Sequence, residues 1–326
     1  MKTVVTGATG FIGSFLCEHL VGKGHKVSAV VRASSNLRWL DGPGILPVHA
    51  DVCEPDSLRD VMDGADVVYH AAGLVRADRR ADFMKVNFEG TRNVAQACLA
   101  ASKPPGRLVF VSSQAAAGPS PDRQGIDERH PPRPVSAYGV SKLAAERYLA
   151  GLAGIEIVIV RPSAVFGPRD GETLSLFQIA ARLRISPLLG AGKALISTIE
   201  VTDLVKGIAL AGEVPQARGK TYFLAWPRPY STEYLAAQVA SAVGKRTVGV
   251  PARQPLLSAA AELSQFFSHV RGKTGTLSHL KVRELACRHW VVRIDAAQEE
   301  LNFQPRIPIA EGIKAAARWY RDQRWL

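Results

Sequence analysis

A chain of 326 residues with 47% hydrophobic content exceeds the size at which one core usually stops growing, so a large domain and a smaller lobe are expected. The formal charge of +12 is spread along the chain, and its basic residues are not interleaved with aromatics in any binding motif; nucleic acid is excluded, and a solvated basic surface is weighed against attraction to an anionic cofactor or membrane. Four cysteines without CxxC spacing, histidines without HxxxH spacing and no run of about 18 apolar residues argue against a disulfide framework, a metal centre and a membrane span, and point to a reduced cytoplasmic protein, at most peripheral on a membrane surface.

In chain order, TVVTG, KVSAVVR, ILPVHADV, ADVVYHAAG, RLVFVSS and IEIVIVRPS are near-continuous apolar runs rich in β-branched residues, the pattern of strands buried on both faces. Between them SFLCEHLVGKG, EPDSLRDVMDG, DFMKVNFEGTRNVAQACLAAS and SAYGVSKLAAERYLAGL carry helical patterns. Strand and helix alternating in this way predict an α/β fold with right-handed crossovers and a doubly wound parallel sheet over residues 1–165. PSPDRQGIDERHPPRP reads as a loop entering the helix of Tyr138. Beyond Pro162 the alternation weakens. Helical stretches at 174–183 and 231–243, a short strand TYFLA and the run PLLSAAAELSQFFSHV predict a smaller, mostly helical C-terminal substrate lobe over 166–326, with returns to the first domain near 195–225.

The first strand runs straight into TGATGFIG and a helix. Gly7 suits a tight turn, Gly10 lets backbone approach a pyrophosphate, and Gly13 allows close packing of helix on strand, the fingerprint of a Rossmann dinucleotide site. Thr9, Phe11 and Ile12 complete that turn at a helix N-terminus, which supplies free N–H donors to phosphate. The second strand ends in Arg32, with no carboxylate to receive a ribose 2′ hydroxyl, so NADP is the expected cofactor and NAD the second choice. Asp51 and Val52 after the third strand are candidates for the adenine, and Ala71, Ala72 and Gly73 leave room for the middle of the cofactor.

SAYGVSK places Tyr138 and Lys142 four residues apart, on one face of a helix. With TGATGFIG at the start, HAAG after the fourth strand, VSS ending the fifth, YGVSK on the next helix and RPSAVFGP after the sixth, the chain resembles the extended short-chain dehydrogenase/reductase family, the NAD-dependent epimerase/dehydratase superfamily. The motifs match in order and interval over residues 1 to about 170. The tail, LSHLKVRELACRHWVVRIDAAQEELNFQP and IAEGIKAAARWY, resembles the 3β-hydroxysteroid dehydrogenase and dihydroflavonol reductase branch.

That resemblance implies Tyr138 as the acid or base, Lys142 as the group that lowers its pKa and holds the nicotinamide ribose, and Ser113 as the partner of the substrate oxygen. It also implies Asn87 near the site, Pro162, Ser163 and Val165 beside the cofactor, and a homodimer. Tyrosine titrates near ~10 in isolation, and a neighbouring ammonium would favour the phenolate. Ser112 is expected to point to the other face of its strand.

Two departures narrow the chemistry. Dehydratases of this family carry Asp and Glu directly after the serine or threonine; here Gln114 and Ala115 stand there, so elimination of water lacks its carboxylates. Epimerases typically grip the nucleotide phosphates with an Arg where GAGKALISTIEVTD has Ile196, leaving Lys193 or Arg169 as substitute point charges. Hydride transfer with a secondary alcohol or ketone of a fairly apolar small molecule, sterol-like, terpenoid or phenolic, is the favoured function. A nucleotide-sugar epimerase and a non-catalytic dinucleotide-binding regulatory protein are the alternatives.

Phe166, Leu174, Leu176, Phe177, Leu188, Leu189, Trp226, Leu256, Leu257, Phe266 and Phe267 line either an apolar pocket or the core of the lobe. PLLSAAAELSQFFSHVRGK reads as an amphipathic helix, packed on its own domain or laid on a membrane surface. His70, inside a strand pattern, is expected to be a satisfied core histidine.

Overall fold

The computed structural model describes residues 1–252, 283–284 and 287–326. The apolar runs form β1 (Lys2–Thr6), β2 (Lys26–Val31), β3 (Ile45–His49), β4 (Val67–His70), β5 (Arg107–Val111) and β6 (Glu156–Pro162). With β11 (Thr221–Leu224) they make one parallel sheet in the order β11-β6-β5-β4-β1-β2-β3. Chain order reverses between β1 and β4, and in such sheets the crevice beyond the carboxyl ends of those strands is where ligands bind.

Helices cover both faces. On one, α1 (Phe11–Gly22) and α7 (Val201–Glu213) bury Leu16, Cys17, Leu20, Leu204 and Ile208 against the sheet. On the other, α3 (Gly90–Ala100) and α5 (Ala137–Ala150) bury Val94, Cys98, Ala145 and Leu149. Both Cys17 and Cys98 are therefore core thiols, and burial pushes each up to about 12. Short elements complete this domain: α2 (Arg80–Phe83) runs through a π-helical stretch, Met84–Glu89, into α3, and α4 (Gln114–Ala117) follows β5.

The lobe packs α6 (Gly171–Leu183), α8 (Thr232–Val243) and the C-terminal α10 (Ile309–Asp322) around Phe166, Phe177 and Tyr320. A seven-residue α9 (Asp295–Leu301) seats Leu301 in the main core. The remaining strands are short: β7 (Ala164–Phe166) beside β10 (Thr198–Glu200), β8 (Ile185–Leu188) beside β13 (Val248–Pro251), and β9 (Leu195–Ile196) between β12 (Tyr230–Ser231) and β14 (His289–Trp290). No helix among the described residues is long and apolar enough to cross a membrane.

Three expectations change. The third strand is not buried: β3 is the sheet edge, with Leu46 63% exposed and Pro47 tolerated because an edge needs no donor on its outer side. EPDSLRDVMDG forms only a 3-10 turn, Pro55–Leu58, because the Ser57 hydroxyl donates to the carbonyls of Asp51 (3.1 Å) and Glu54 (2.7 Å) and holds a local turn instead of a helix. TYFLA, inside the expected return near 195–225, joins the main sheet, where β11 pairs with β6. Phe166 and Phe177 are packed in the lobe core, and Leu176 is 43% exposed. Leu256, Leu257, Phe266, Phe267 and the amphipathic run lie outside the described residues.

Candidate active site

The glycine turn closes the N-terminal side of the crevice. Gly7 adopts φ +71°, and a Cβ there would lie 2.6 Å from the backbone nitrogen of Ala72, so the turn after β1 presses directly on the segment after β4. A Cβ on Gly13 would lie 2.1 Å from the Gly7 carbonyl oxygen, which locks α1 against the turn. Gly10 caps α1 without a side-chain hydrogen bond and is itself exposed, leaving the first N–H groups uncovered between the half-buried Thr9, Phe11 and Ile12. This bare, positively polarised helix end fits a pyrophosphate. Gly13→Ala is expected to cost about 1–3 kcal/mol by overpacking and to weaken dinucleotide binding. Thermal melts and NADPH fluorescence titration check both, and an unchanged dissociation constant would contradict this role.

Farther along the strand ends, Arg32 is exposed in a turn in which its N–H donates to Ser35 Oγ (3.0 Å), and among the described residues it makes no ion pair. Arg38 is held differently, its guanidinium 4.3 Å from the Trp39 ring and 5.2 Å from Trp325. Asp51 is half-buried and accepts from the Cys53 N–H (2.8 Å), while Val52 is buried against Gly90. Ala71 and Ala72 are half-buried and Gly73 is exposed at the crevice.

Gly73 sits between the turn and the side chains of α5: a Cβ on it would meet Asn87 Oδ1 at 3.0 Å and Lys142 Nζ at 3.2 Å. Asn87 sits in the π-helical stretch, fully buried, and that wider turn is a frequent mark of functional sites. Its side chain clamps Leu74 from both sides, accepting from the N–H (2.7 Å) and donating to the carbonyl (3.0 Å), and donates to Ser141 Oγ (2.9 Å). Asn87 therefore ties the loop after β4 to α5, the helix of Tyr138 and Lys142.

Helix α5 is placed by three features. Ser136 caps it, accepting from the Gly139 N–H (3.0 Å). Gly139 has no room for a side chain, since its Cβ would lie 2.2 Å from the Ala115 carbonyl oxygen, and that contact brings Tyr138 beside Ser113. Glu146 takes a bidentate pair from Arg161 on β6 (2.6 and 3.0 Å) and the Ser112 hydroxyl (2.5 Å), all buried. Ser112 is thus committed to the structural face, and Ser113 is the hydroxyl left for the site.

Ser113 lies near Tyr138, which is half-buried with its ring 6.0 Å from Phe83. Lys142 is 3% exposed; Nζ donates to the Val111 carbonyl (2.8 Å) and lies 4.6 Å from the Phe110 ring centre. Burial pulls the Lys142 ammonium down to about 8, with Glu146 opposing. His70 bridges Thr6 (2.6 Å) and Thr91 (2.9 Å), and burial with the Lys142 charge lowers it to about 3, so it is a neutral, satisfied core histidine.

The Tyr138 hydroxyl departs from expectation. Burial pushes it up to about 12, against the pull of the nearby Ser113 hydroxyl, and the carboxylates of Glu284 and Glu172 add to the rise. Lys142 does not lower it here, because Nζ is turned to the Val111 carbonyl.

The residues after β6 divide. Pro162 ends the strand, Val165 is half-buried in β7, and the Ser163 hydroxyl is buried with no hydrogen-bond partner among the described residues, a donor left over for a bound group. The Gln114 amide nitrogen is buried and unpartnered in the same sense. Arg169 is not a free phosphate clamp: it pairs with Glu18 (2.7 Å), donates to Ser14 Oγ (3.2 Å) and stacks on Phe15 and Trp39. Sequence reasoning missed Glu172 and Glu284, whose charges reach Tyr138, since nothing in their local spacing distinguishes them from surface charges. Ser136 was not singled out by sequence either; besides capping α5 it donates to Glu284.

A family model described as the NAD dependent epimerase/dehydratase family matches residues 3–225. The 2-alkyl-3-oxoalkanoate reductase of Shewanella oneidensis is 26% identical over 330 residues, covering 95% of this chain and 84% of that protein. The 3β-hydroxysteroid dehydrogenase/Δ5→4-isomerase of Mycobacterium tuberculosis is 27% identical over 270 residues, 75% of this chain and 70% of that one. Among solved structures, the UDP-glucose 4-epimerase of Thermotoga maritima superposes with a TM-score of 0.79 at 20% identity, over 99% of both chains, a likeness of fold.

Proposed function

Because the chain belongs to the NAD dependent epimerase/dehydratase family, we propose that it is an NADP-preferring oxidoreductase that interconverts a ketone and a secondary alcohol on a fairly apolar small molecule. The observation that carries this is the meeting of Ser113, Tyr138 and Lys142 at the switch crevice, with Gln114 and Ala115 where an elimination would need carboxylates. The relatives named for a 2-alkyl-3-oxoalkanoate and for a 3β-hydroxysteroid support a substrate with extended hydrocarbon.

The dinucleotide supplies the hydride. The chain supplies the rest. Ser113 donates to the carbonyl oxygen as negative charge develops there. Tyr138, held as the neutral phenol well above neutral pH, carries the proton that this oxygen needs when the ketone is reduced. Lys142, whose pKa of about 8 leaves it mostly charged at neutral pH, offers an ammonium within reach of Gly73 for a ribose hydroxyl and keeps positive charge one helical turn from the phenol. The N–H groups at Gly10 to Gly13 and the orphaned Ser163 hydroxyl bind and orient the dinucleotide.

Arg32 is assigned to a 2′-phosphate, as the exposed cation at the end of β2 without an ion-pair partner among the described residues. Steady-state reduction of a panel of steroidal, terpenoid and aryl ketones is expected to proceed faster with NADPH than with NADH. In Arg32→Asp the NADPH preference is expected to fall by about 10-fold or more, the loss of one charge-assisted contact, while NADH turnover persists. Equal use of both cofactors by the unaltered protein would refute the NADP assignment, and no turnover of any ketone with either would refute the reductase.

A further inference from the structure

The small sheet β12-β9-β14 pairs Tyr230 with Ile196 and Ile196 with Trp290, and residues paired in this way project from one face. All three are half-buried. The opposite face carries Ser231, Leu195 and the buried His289, whose Nδ1 accepts from the Leu195 N–H (3.3 Å). Neighbouring strands lie about 4.8 Å apart, so the row from Trp290 to Tyr230 runs for about 10 Å. Its outer end continues into Tyr234, whose ring stacks on that of Tyr230 with centroids 5.0 Å apart, and its base is firm, since Tyr230 packs against the lobe core of Phe166 and Phe177. Trp290 is held from several sides. Its carbonyl accepts from the Ser197 N–H (2.7 Å), while Ser120 donates its N–H to the His289 carbonyl (3.1 Å) and its hydroxyl accepts from the Val291 N–H (3.2 Å). Ser120 follows α4, the short helix that Ser113 caps. The Trp290 indole N–H donates to the Glu284 carbonyl (3.0 Å), and the Glu284 carboxylate accepts from Ser136, the cap of α5. The row is thus tied to the segment of Ser113 on one side and to the N-terminus of the Tyr138 helix on the other.

We infer that Trp290, Ile196 and Tyr230 form an apolar ledge that carries the hydrocarbon body of the substrate, a rigid fused-ring system of about 10 Å, while its carbonyl is presented to Ser113 and Tyr138. This rests on the reductase reading proposed above. No member of the row carries a charge, so a diphosphate laid along it would give up water without a charge-assisted partner. Two aromatic side chains flanking a β-branched one offer instead broad apolar faces whose own freedom is already small. A rigid ring system suits such a surface better than a flexible chain, because it brings no internal rotations to be frozen on binding.

Estradiol serves as a fused-ring probe. It is titrated by calorimetry into the NADPH-bound protein, where no oxidised cofactor can consume it, and UDP-glucose is titrated as the contrasting ligand. The unaltered protein is expected to bind estradiol in preference to UDP-glucose. Ile196→Arg, which sets a cation in the middle of the row, is expected to weaken estradiol by on the order of 10- to 200-fold, the range that one lost apolar contact costs. Ile196→Thr keeps the β-branched shape of the strand and is expected to weaken it by a smaller factor. NADPH fluorescence reports in each variant that the fold is kept. Absence of estradiol binding, preference for UDP-glucose, or equal estradiol affinity in all three proteins overturns the ledge. Because the readout is binding alone, the expected pattern in a protein that reduces no ketone would leave the ledge standing and sink only the reductase. Ketone turnover combined with unchanged estradiol affinity in both variants would sink only the ledge.

Discussion

Tyr138→Phe lowers kcat for ketone reduction by about 10²- to 10⁴-fold, the range that a positioned proton donor contributes, and leaves the fold intact. The ring is kept, so its contact with Phe83 survives, and the hydroxyl lost is one that burial already disfavours as an anion. NADPH affinity is expected to change little, since the turn at Gly7 to Gly13 and the Lys142 ammonium are untouched. The pH profile sharpens the expectation. With the hydroxyl raised to about 12 in the ligand-free chain, the proton needed for reduction is present through neutrality and is lost only on the alkaline side. Stopped-flow measurement of NADPH oxidation across pH checks both statements. Full activity in Tyr138→Phe would remove Tyr138 from the mechanism.

Lys142→Met is expected to abolish most activity and at the same time stabilise the protein at neutral pH. The sign follows from burial. The folded ammonium titrates at about 8 and an unfolded lysine near ~10.4. Between those values the unfolded chain holds a proton that the folded chain has lost, so stability rises with pH across that window. Below about 8 the folded state carries the whole cost of a buried charge, on the order of 3 kcal/mol. An unbranched apolar side chain of similar length removes that cost, although the Val111 carbonyl loses a donor worth about 1 kcal/mol. Melts at pH 7 should therefore show a Tm higher by a few degrees, with the advantage fading above pH ~10. A Tm lowered at every pH would mean that Lys142 holds the fold and would undercut its assignment as a destabilising functional group.

Local physics made much of this legible. The strands of the sheet interior announce themselves because burial on both faces demands uninterrupted apolar runs, and β1, β4, β5 and β6 are buried along nearly their whole length. The glycine turn was readable because each glycine meets a steric demand the fold imposes, as the 2.1 Å approach at Gly13 makes plain. Ser113, Tyr138 and Lys142 were found by motif and interval. What failed to show depended on long-range partners. β3 has the composition of a core strand but lies at the edge, a fact set by topology. Arg169 looks like a spare cation until α1 brings Glu18 to it from 151 residues away. Arg76 and Glu172 are ordinary charges in sequence and meet only because the lobe folds back toward the loop after β4. The Tyr138 hydroxyl was expected to be lowered by Lys142, but the direction depends on where Nζ points, which spacing along a helix does not determine.

The central claim is hydride transfer to a carbonyl carbon with protonation by Tyr138, and isotope transfer tests it most directly. NADPH carrying deuterium at the transferable position is incubated with the protein and the best ketone of the panel, and the product is analysed by mass spectrometry. The predicted result is a secondary alcohol with one deuterium on the carbinol carbon, formed by the unaltered protein and nearly absent with Tyr138→Phe. Deuterium that stays in the dinucleotide while the ketone is recovered unchanged would contradict it.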